Sequence, residues 1–156
     1  MNMERNTHSM LVGYLLWIFG FTGSHRFYFA TPITGTLCFF TGGLFLIGWI
    51  IDLFLIPSMD RKADYKYVPG PRDYTVAWVL MVFLGWFGVH RLYLGKWVSG
   101  LTILACAALS GVGFWVLIVP VVLVLLFYLV DLWTLNEQVS EFNRRHQPAI
   151  VAAQAA

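Results

Sequence analysis

Moved along itself by 65 residues, the chain registers with its own second half without a gap. Gly20, Gly23, His25, Arg26, Tyr28 and Gly35 fall on Gly85, Gly88, His90, Arg91, Tyr93 and Gly100. Six identities at fixed offsets mark a duplication, so one small unit must fold twice and pack against its own copy. Both units read alike. A first apolar stretch ends in His-Arg-x-Tyr, and a turn with Pro or Gly follows at Thr31-Pro32 and at Gly95. A second apolar segment is broken by glycine, at Gly42-Gly43 and at Gly111, and a last helix carries one acid, Asp52 or Asp131. The units differ in length after the motif: His25 to Asp52 is 27 residues and His90 to Asp131 is 41, an insertion around Pro120.

What such a unit can be follows from its solvent. The chain is 59% hydrophobic and 12% charged, whereas an average soluble domain is about a quarter charged. A soluble chain of 156 residues leaves much of its surface wet and could not hide this much apolar area. Spans need roughly 20 apolar residues each, and the stretches 10–29, 35–57 and 75–94 meet or approach that length, while 98–135 is about twice as long. The expected fold is an all-α integral membrane protein of two tandem transmembrane helical hairpins with glycine-broken helices. Four spans is the main reading and five the alternative. The expected boundaries are a first hairpin over 9–57, a polar linker over 58–74, a second hairpin with its insertion over 75–135, and an amphipathic tail over 136–156. The polar N-terminus is followed by no small-residue cleavage site, so the first stretch reads as a retained anchor.

Cation placement predicts orientation. The termini and linker hold Arg5, Arg61, Lys62, Lys66, Arg72, Arg144 and Arg145, against Lys96, Arg26 and Arg91 expected on the other side. This puts the termini and linker in the cytoplasm; the expected location, which charge placement does not set, is the cell (inner) membrane. A net charge of +2 gives no footprint for nucleic acid.

Arg26, Arg91, Asp52 and Asp131 lie in or at the edge of apolar segments, where an ionisable group costs roughly 2.5–3.5 kcal/mol at mid-bilayer. One of each per unit predicts two ion pairs, within each copy or across them, that fix helix register. His25 and His90 are symmetric and could ligate a haem or metal, yet no further ligand stands at zinc or di-iron spacing. The expectation is no cofactor and no metal. Tyr28 and Tyr93 read as headgroup-belt aromatics. Gly20 with Gly23, and Gly85 with Gly88, are three apart and read as a small-residue packing face on one helix. Cys38 and Cys106 read as buried hydrophobes. No Gly-x-Ser-x-Gly, Walker loop, His-Glu-x-x-His or dinucleotide fingerprint occurs, and no catalytic residue is assigned.

These residues resemble a known family. Gly20, Gly23, His25, Arg26, Phe27, Tyr28, Gly35, Trp49, Ile51, Asp52, Leu53 and Phe54 follow the pattern of the TM2 domain family. The second copy keeps Gly85, Gly88, His90, Arg91, Tyr93, Gly95 and Gly100, with Leu92 in place of phenylalanine. Ala30 stands where the family usually has glycine. The resemblance implies a pair of transmembrane helices with the motif by their connection. It implies little about activity: eukaryotic members are linked to signalling, and bacterial members mostly lack an assigned activity. The functional expectation is a non-enzymatic accessory or scaffolding subunit, whose partners are the lipid bilayer and another membrane protein or a second copy. The alternative is a small transporter, permeation pathway or lipid-handling protein using the Arg/Asp pairs.

Overall fold

The structure is a computed structural model that describes residues 7–19, 23–45, 47–109 and 114–146. It is all-helical, with no strand among the described residues. Each repeat follows the same path. In the first, α1 (Met10–Phe19) leads away from the N-terminal end and α2 (Ser24–Tyr28) comes back, until the Tyr28 hydroxyl accepts a hydrogen bond from the Ser9 N–H at 2.6 Å. Then α3 (Pro32–Phe45) leads out and α4 (Ile47–Lys66) returns, bringing Asp64 to the Thr7 N–H at 2.7 Å.

The second repeat begins with α5 (Tyr74–Leu84), whose first turn is capped by the Asp73 carboxylate accepting from the N–H groups of Thr75 and Val76. A 3-10 turn (Gly85–Phe87) and α6 (Val89–Tyr93) bring the chain back, and Tyr93 accepts from the Asp73 N–H at 3.0 Å. α7 (Trp97–Leu109) leads out, and α8 (Phe114–His146, 33 residues) returns. The insertion lies ahead of the aspartate, since α8 starts at Phe114 for Asp131 while α4 starts at Ile47 for Asp52.

The expected single helix over 10–29 is therefore two helices. Gly23 and Gly88 explain the break: their φ values are +74° and +69°, a left-handed backbone that a Cβ disfavours. A Cβ on Gly23 would also stand 2.8 Å from that of Cys38, and one on Gly88 2.9 Å from that of Ile103. The glycines do allow close helix approach, but from a turn rather than from a shared helix face. Gly85 lies in the 3-10 turn, and Gly20 and Gly111 lie outside the described residues. Gly42-Gly43 do not end a helix: α3 runs through them to Phe45, with Gly42 at φ +58°.

α2 and α6 both close in a Schellman motif. Thr31 N donates to Arg26 O and Ala30 N to Phe27 O; Lys96 N donates to Arg91 O and Gly95 N to Leu92 O. The left-handed residue is Gly95 in one copy (φ +73°) and Ala30 in the other (φ +63°). Alanine there costs roughly 1–2 kcal/mol. Ala30→Gly is accordingly expected to raise stability by about 1 kcal/mol, read as a higher unfolding temperature in detergent.

Lys96 is not on the far side of the molecule, as its place in the sequence suggested. Because α6 doubles back, Lys96 reaches α8 and donates to Gln138 at 2.8 Å, at the end that holds the linker and the α8 tail. The linker is largely helical, with α4 continuing through Pro57 to Lys66, and the tail continues α8 without a break at 135–136. The buried core sits at this same end and includes Tyr28, Phe29, Ile56, Tyr67, Tyr74, Trp78, Met81, Leu135 and Val139. Away from it the helices turn large apolar side chains outward, among them Phe40, Phe54, Phe83, Val119, Leu126 and Trp133. Among the described residues one helix is long and apolar enough by itself to cross a membrane, over Ile118–His146.

Candidate functional site

In each repeat α2 or α6 presents His-Arg toward the aspartate of α4 or α8. Asp52 Oδ2 accepts from His25 Nε2 at 2.8 Å and from Arg26 Nε at 2.7 Å, while Arg26 Nη2 donates to Asp52 Oδ1. Asp131 Oδ2 accepts from His90 Nε2 at 2.7 Å and from Arg91 Nε at 2.6 Å, and Asp131 Oδ1 from Arg91 Nη2 at 2.6 Å. The structure thus places each arginine on the aspartate of its own copy. Both aspartates and both histidines are buried. Fork-to-carboxylate pairing of this kind is directional as well as strong, so it fixes how the short returning helix docks on the long one.

The two sites differ. Asp131 Oδ1 has a further donor, Gln138 Nε2 at 2.9 Å, and the Arg91 guanidinium lies 4.8 Å from the centre of the Phe127 ring. Gln138 also receives Lys96, so a polar chain runs from the buried triad to the surface in the second repeat. One atom per triad is left over: among the described residues neither His25 Nδ1 nor His90 Nδ1 has a hydrogen-bond partner. No group of three or more His, Cys, Asp or Glu able to hold a metal occurs among the described residues.

Tyr28 is not a belt residue. It is fully buried, and its hydroxyl lies 2.9 Å from Thr75 Oγ1 of the other repeat as well as against Ser9. Tyr93 plays the equivalent part at Asp73, with the Arg72 guanidinium 4.6 Å over its ring. Both tyrosines clamp the entry of a first helix to its returning partner.

The joint between the repeats was not anticipated from the sequence. Asn136 of α8 donates through Nδ2 to the carbonyls of Phe27 (3.1 Å) and Tyr28 (2.8 Å), and its Oδ1 accepts from Trp78 Nε1 at 2.6 Å. Both carbonyls belong to the end of α2, where Phe27 O also accepts from Ala30 N at 3.2 Å and the Tyr28 carbonyl lies beyond the helical ladder. His8 packs beside them against Tyr28, Phe29, Tyr67 and Tyr74. The signal available in the sequence was faint: an Asn and a Gln just past the apolar end of the last helix, with Gln138 two turns from Asp131 on one face.

Two groups at this end titrate with opposite consequences. Burial pushes the His8 imidazole down to about 4 from an ordinary 6.5. The Asp60 carboxyl is pushed up to about 6 from an ordinary 3.8, by burial first and by Asp64 second, and its Oδ1 has no partner among the described residues. For His8 the unfolded chain binds the proton first, so stability falls as pH drops from about 6.5 to about 4. For Asp60 the folded chain binds it first, so stability rises as pH drops from about 6 to about 3.8. The two contributions oppose each other over nearly the same window. Asp60→Asn is expected to raise the unfolding temperature at pH 8, to change it little at pH 4, and to leave a steeper loss between pH 6.5 and 4 than the wild type shows.

The sequence model of the TM2 domain family matches residues 6–54 and 70–133. The chain is 52% identical over 60 residues to one TM2 domain-containing protein of Dictyostelium discoideum, covering 38% of this chain and 39% of that protein. It is 54% identical over 55 residues to a second from the same organism, covering 35% and 40%. The chain thus spans about two-fifths of the length of these curated relatives. No solved structure matches. With the family pattern covering both repeats, and with each repeat building the same buried triad, the chain belongs to the TM2 domain family and is a membrane protein.

Proposed function

We propose that the protein is a non-enzymatic, multi-pass component of the cell (cytoplasmic) membrane that works by docking, as an accessory or scaffolding subunit of a larger membrane assembly or as a homo-oligomer. The observation that carries this reading is the division of the molecule. Its ionisable groups within the bilayer are closed on one another, with both oxygens of Asp52 and of Asp131 taken by donors. Its outward surface is a wall of large apolar side chains. A carboxylate with both oxygens engaged is poorly placed to relay protons or bind a cargo, which favours docking over the transport alternative.

In this reading α3, α4, α7 and α8 make four crossings, and α1–α2 and α5–α6 are re-entrant pairs on the linker side. A ten-residue helix such as α1 rises about 15 Å, roughly half the hydrocarbon core. All nine Lys and Arg among the described residues lie from the triads toward the linker and tail, and none lies toward the opposite turns. Positive charge gathered at one end supports a cytoplasmic linker. Gentle purification of the tagged chain from its own membranes, followed by mass spectrometry, tests the proposal. A stoichiometric membrane partner or a stable homo-oligomer is expected. A monomer without a partner that passes ions or labelled lipid in liposomes would replace this reading with transport.

A further inference from the structure

The turn between α6 and α7 joins two recesses. On its polar side a cleft of about 510 Å³ is lined by Lys96, Glu137, Gln138, Glu141, Arg145 and His146. On its other side a groove of about 640 Å³ is lined by Trp97, Val98, Thr102 and Phe127. Gly95 and Lys96 line both, so the polar cleft and the apolar groove adjoin at this turn. Trp97 and Val98 are exposed, Val98 to 84%, on a chain whose outward surface is meant for lipid.

The charges in the cleft are unequal in their commitments. Glu141 is paired with Arg145 at 2.8 Å and Glu137 with Lys66 at 3.2 Å. Lys96 faces only the neutral Gln138 amide and is in no ion pair among the described residues. It also immediately precedes α7, whose first-turn N–H groups have no helical acceptor. Burial first, and then Arg91 and Arg145, weaken the hold of the Lys96 ammonium on its proton, with Asp131 acting against them. The first repeat has no equivalent: its counterpart position is Thr31, whose hydroxyl is turned back to Arg26 O at 2.8 Å.

We infer that the second repeat binds one net-anionic phospholipid, its phosphate on Lys96 at the start of α7 and an acyl chain along Trp97, Val98, Thr102 and Phe127. The Lys96 ammonium, without an ion pair among the described residues and next to an exposed apolar groove that adjoins it, selects this occupant over a protein segment. The site would anchor the second repeat in one leaflet. It goes beyond the docking role and stands or falls without it.

Native mass spectrometry of the full chain, delipidated and re-exposed to phosphatidylglycerol or phosphatidylcholine, is the test. One phosphatidylglycerol should be retained, with at least tenfold weaker retention of phosphatidylcholine. Lys96→Gln should weaken phosphatidylglycerol binding about tenfold, as expected for a lost charge-assisted contact. Thr102→Trp should do the same by filling the groove while leaving Lys96 in place, and it decides the matter if Lys96→Gln does not fold. Equal binding by the folded Lys96→Gln variant or by Thr102→Trp, or equal retention of both lipids, overturns the inference. Full displacement of the lipid by millimolar inorganic phosphate also overturns it, because the ligand would then be a free anion.

Discussion

Asp131→Ala should destabilise the protein by about 3–5 kcal/mol, enough to prevent recovery of folded chain from detergent extracts. The carboxylate receives four hydrogen bonds, from His90, twice from Arg91 and from Gln138. Removing it leaves the Arg91 guanidinium, which is 7% exposed, without its counter-ion. That uncompensated charge, rather than the lost pair itself, is the larger cost. Asp52→Ala should act in the same direction and somewhat less, since Asp52 has no fourth donor among the described residues to leave stranded. Thermal unfolding of the purified variants measures both. Equal unfolding temperatures for wild type and Asp131→Ala would mean that the triad is not what holds α6 on α8.

The second large effect is expected at Asn136. Asn136→Leu keeps the branching at Cγ but leaves Trp78 Nε1–H and the Tyr28 carbonyl without partners and takes one of two donors from the Phe27 carbonyl. Each buried group stranded in this way costs about 1–3 kcal/mol, so the two together are expected to cost about 2–6 kcal/mol. The damage should be at the joint between the repeats. Limited proteolysis should cut the linker, 67–73, much faster in Asn136→Leu than in the wild type. Unchanged cutting would show that the repeats are held together by their apolar contacts alone.

The sequence disclosed the unit and its chemistry better than its path. The duplication, the helical class and the membrane as solvent follow from spacing and composition, because a repeat and an apolar stretch need no tertiary information. The partners of Arg26 and Arg91 were narrowed to two aspartates because so few charges lie in apolar segments. The path was obscured by length: twenty apolar residues over 10–29 read as one span, and only the positive φ of Gly23 and Gly88 reveals that the chain turns back. That reversal moves Lys96 to the linker end and buries Tyr28, both of which sequence position alone assigned elsewhere. Asn136 escaped notice for a different reason. Its partners are backbone carbonyls more than a hundred residues away, and a backbone acceptor leaves no trace in residue identity.

The central claim is that each triad holds the fold together and carries no chemistry of its own. The direct test replaces the whole second triad by apolar groups of similar size, His90→Leu with Arg91→Met and Asp131→Leu. Buried ion pairs exchanged in this way are often neutral for stability. The account predicts that the triple variant unfolds within a few degrees of the wild type, far above Asp131→Ala, and co-purifies with the same companions. A triple variant as unstable as the single change, or one that folds normally but loses its companions, would contradict it.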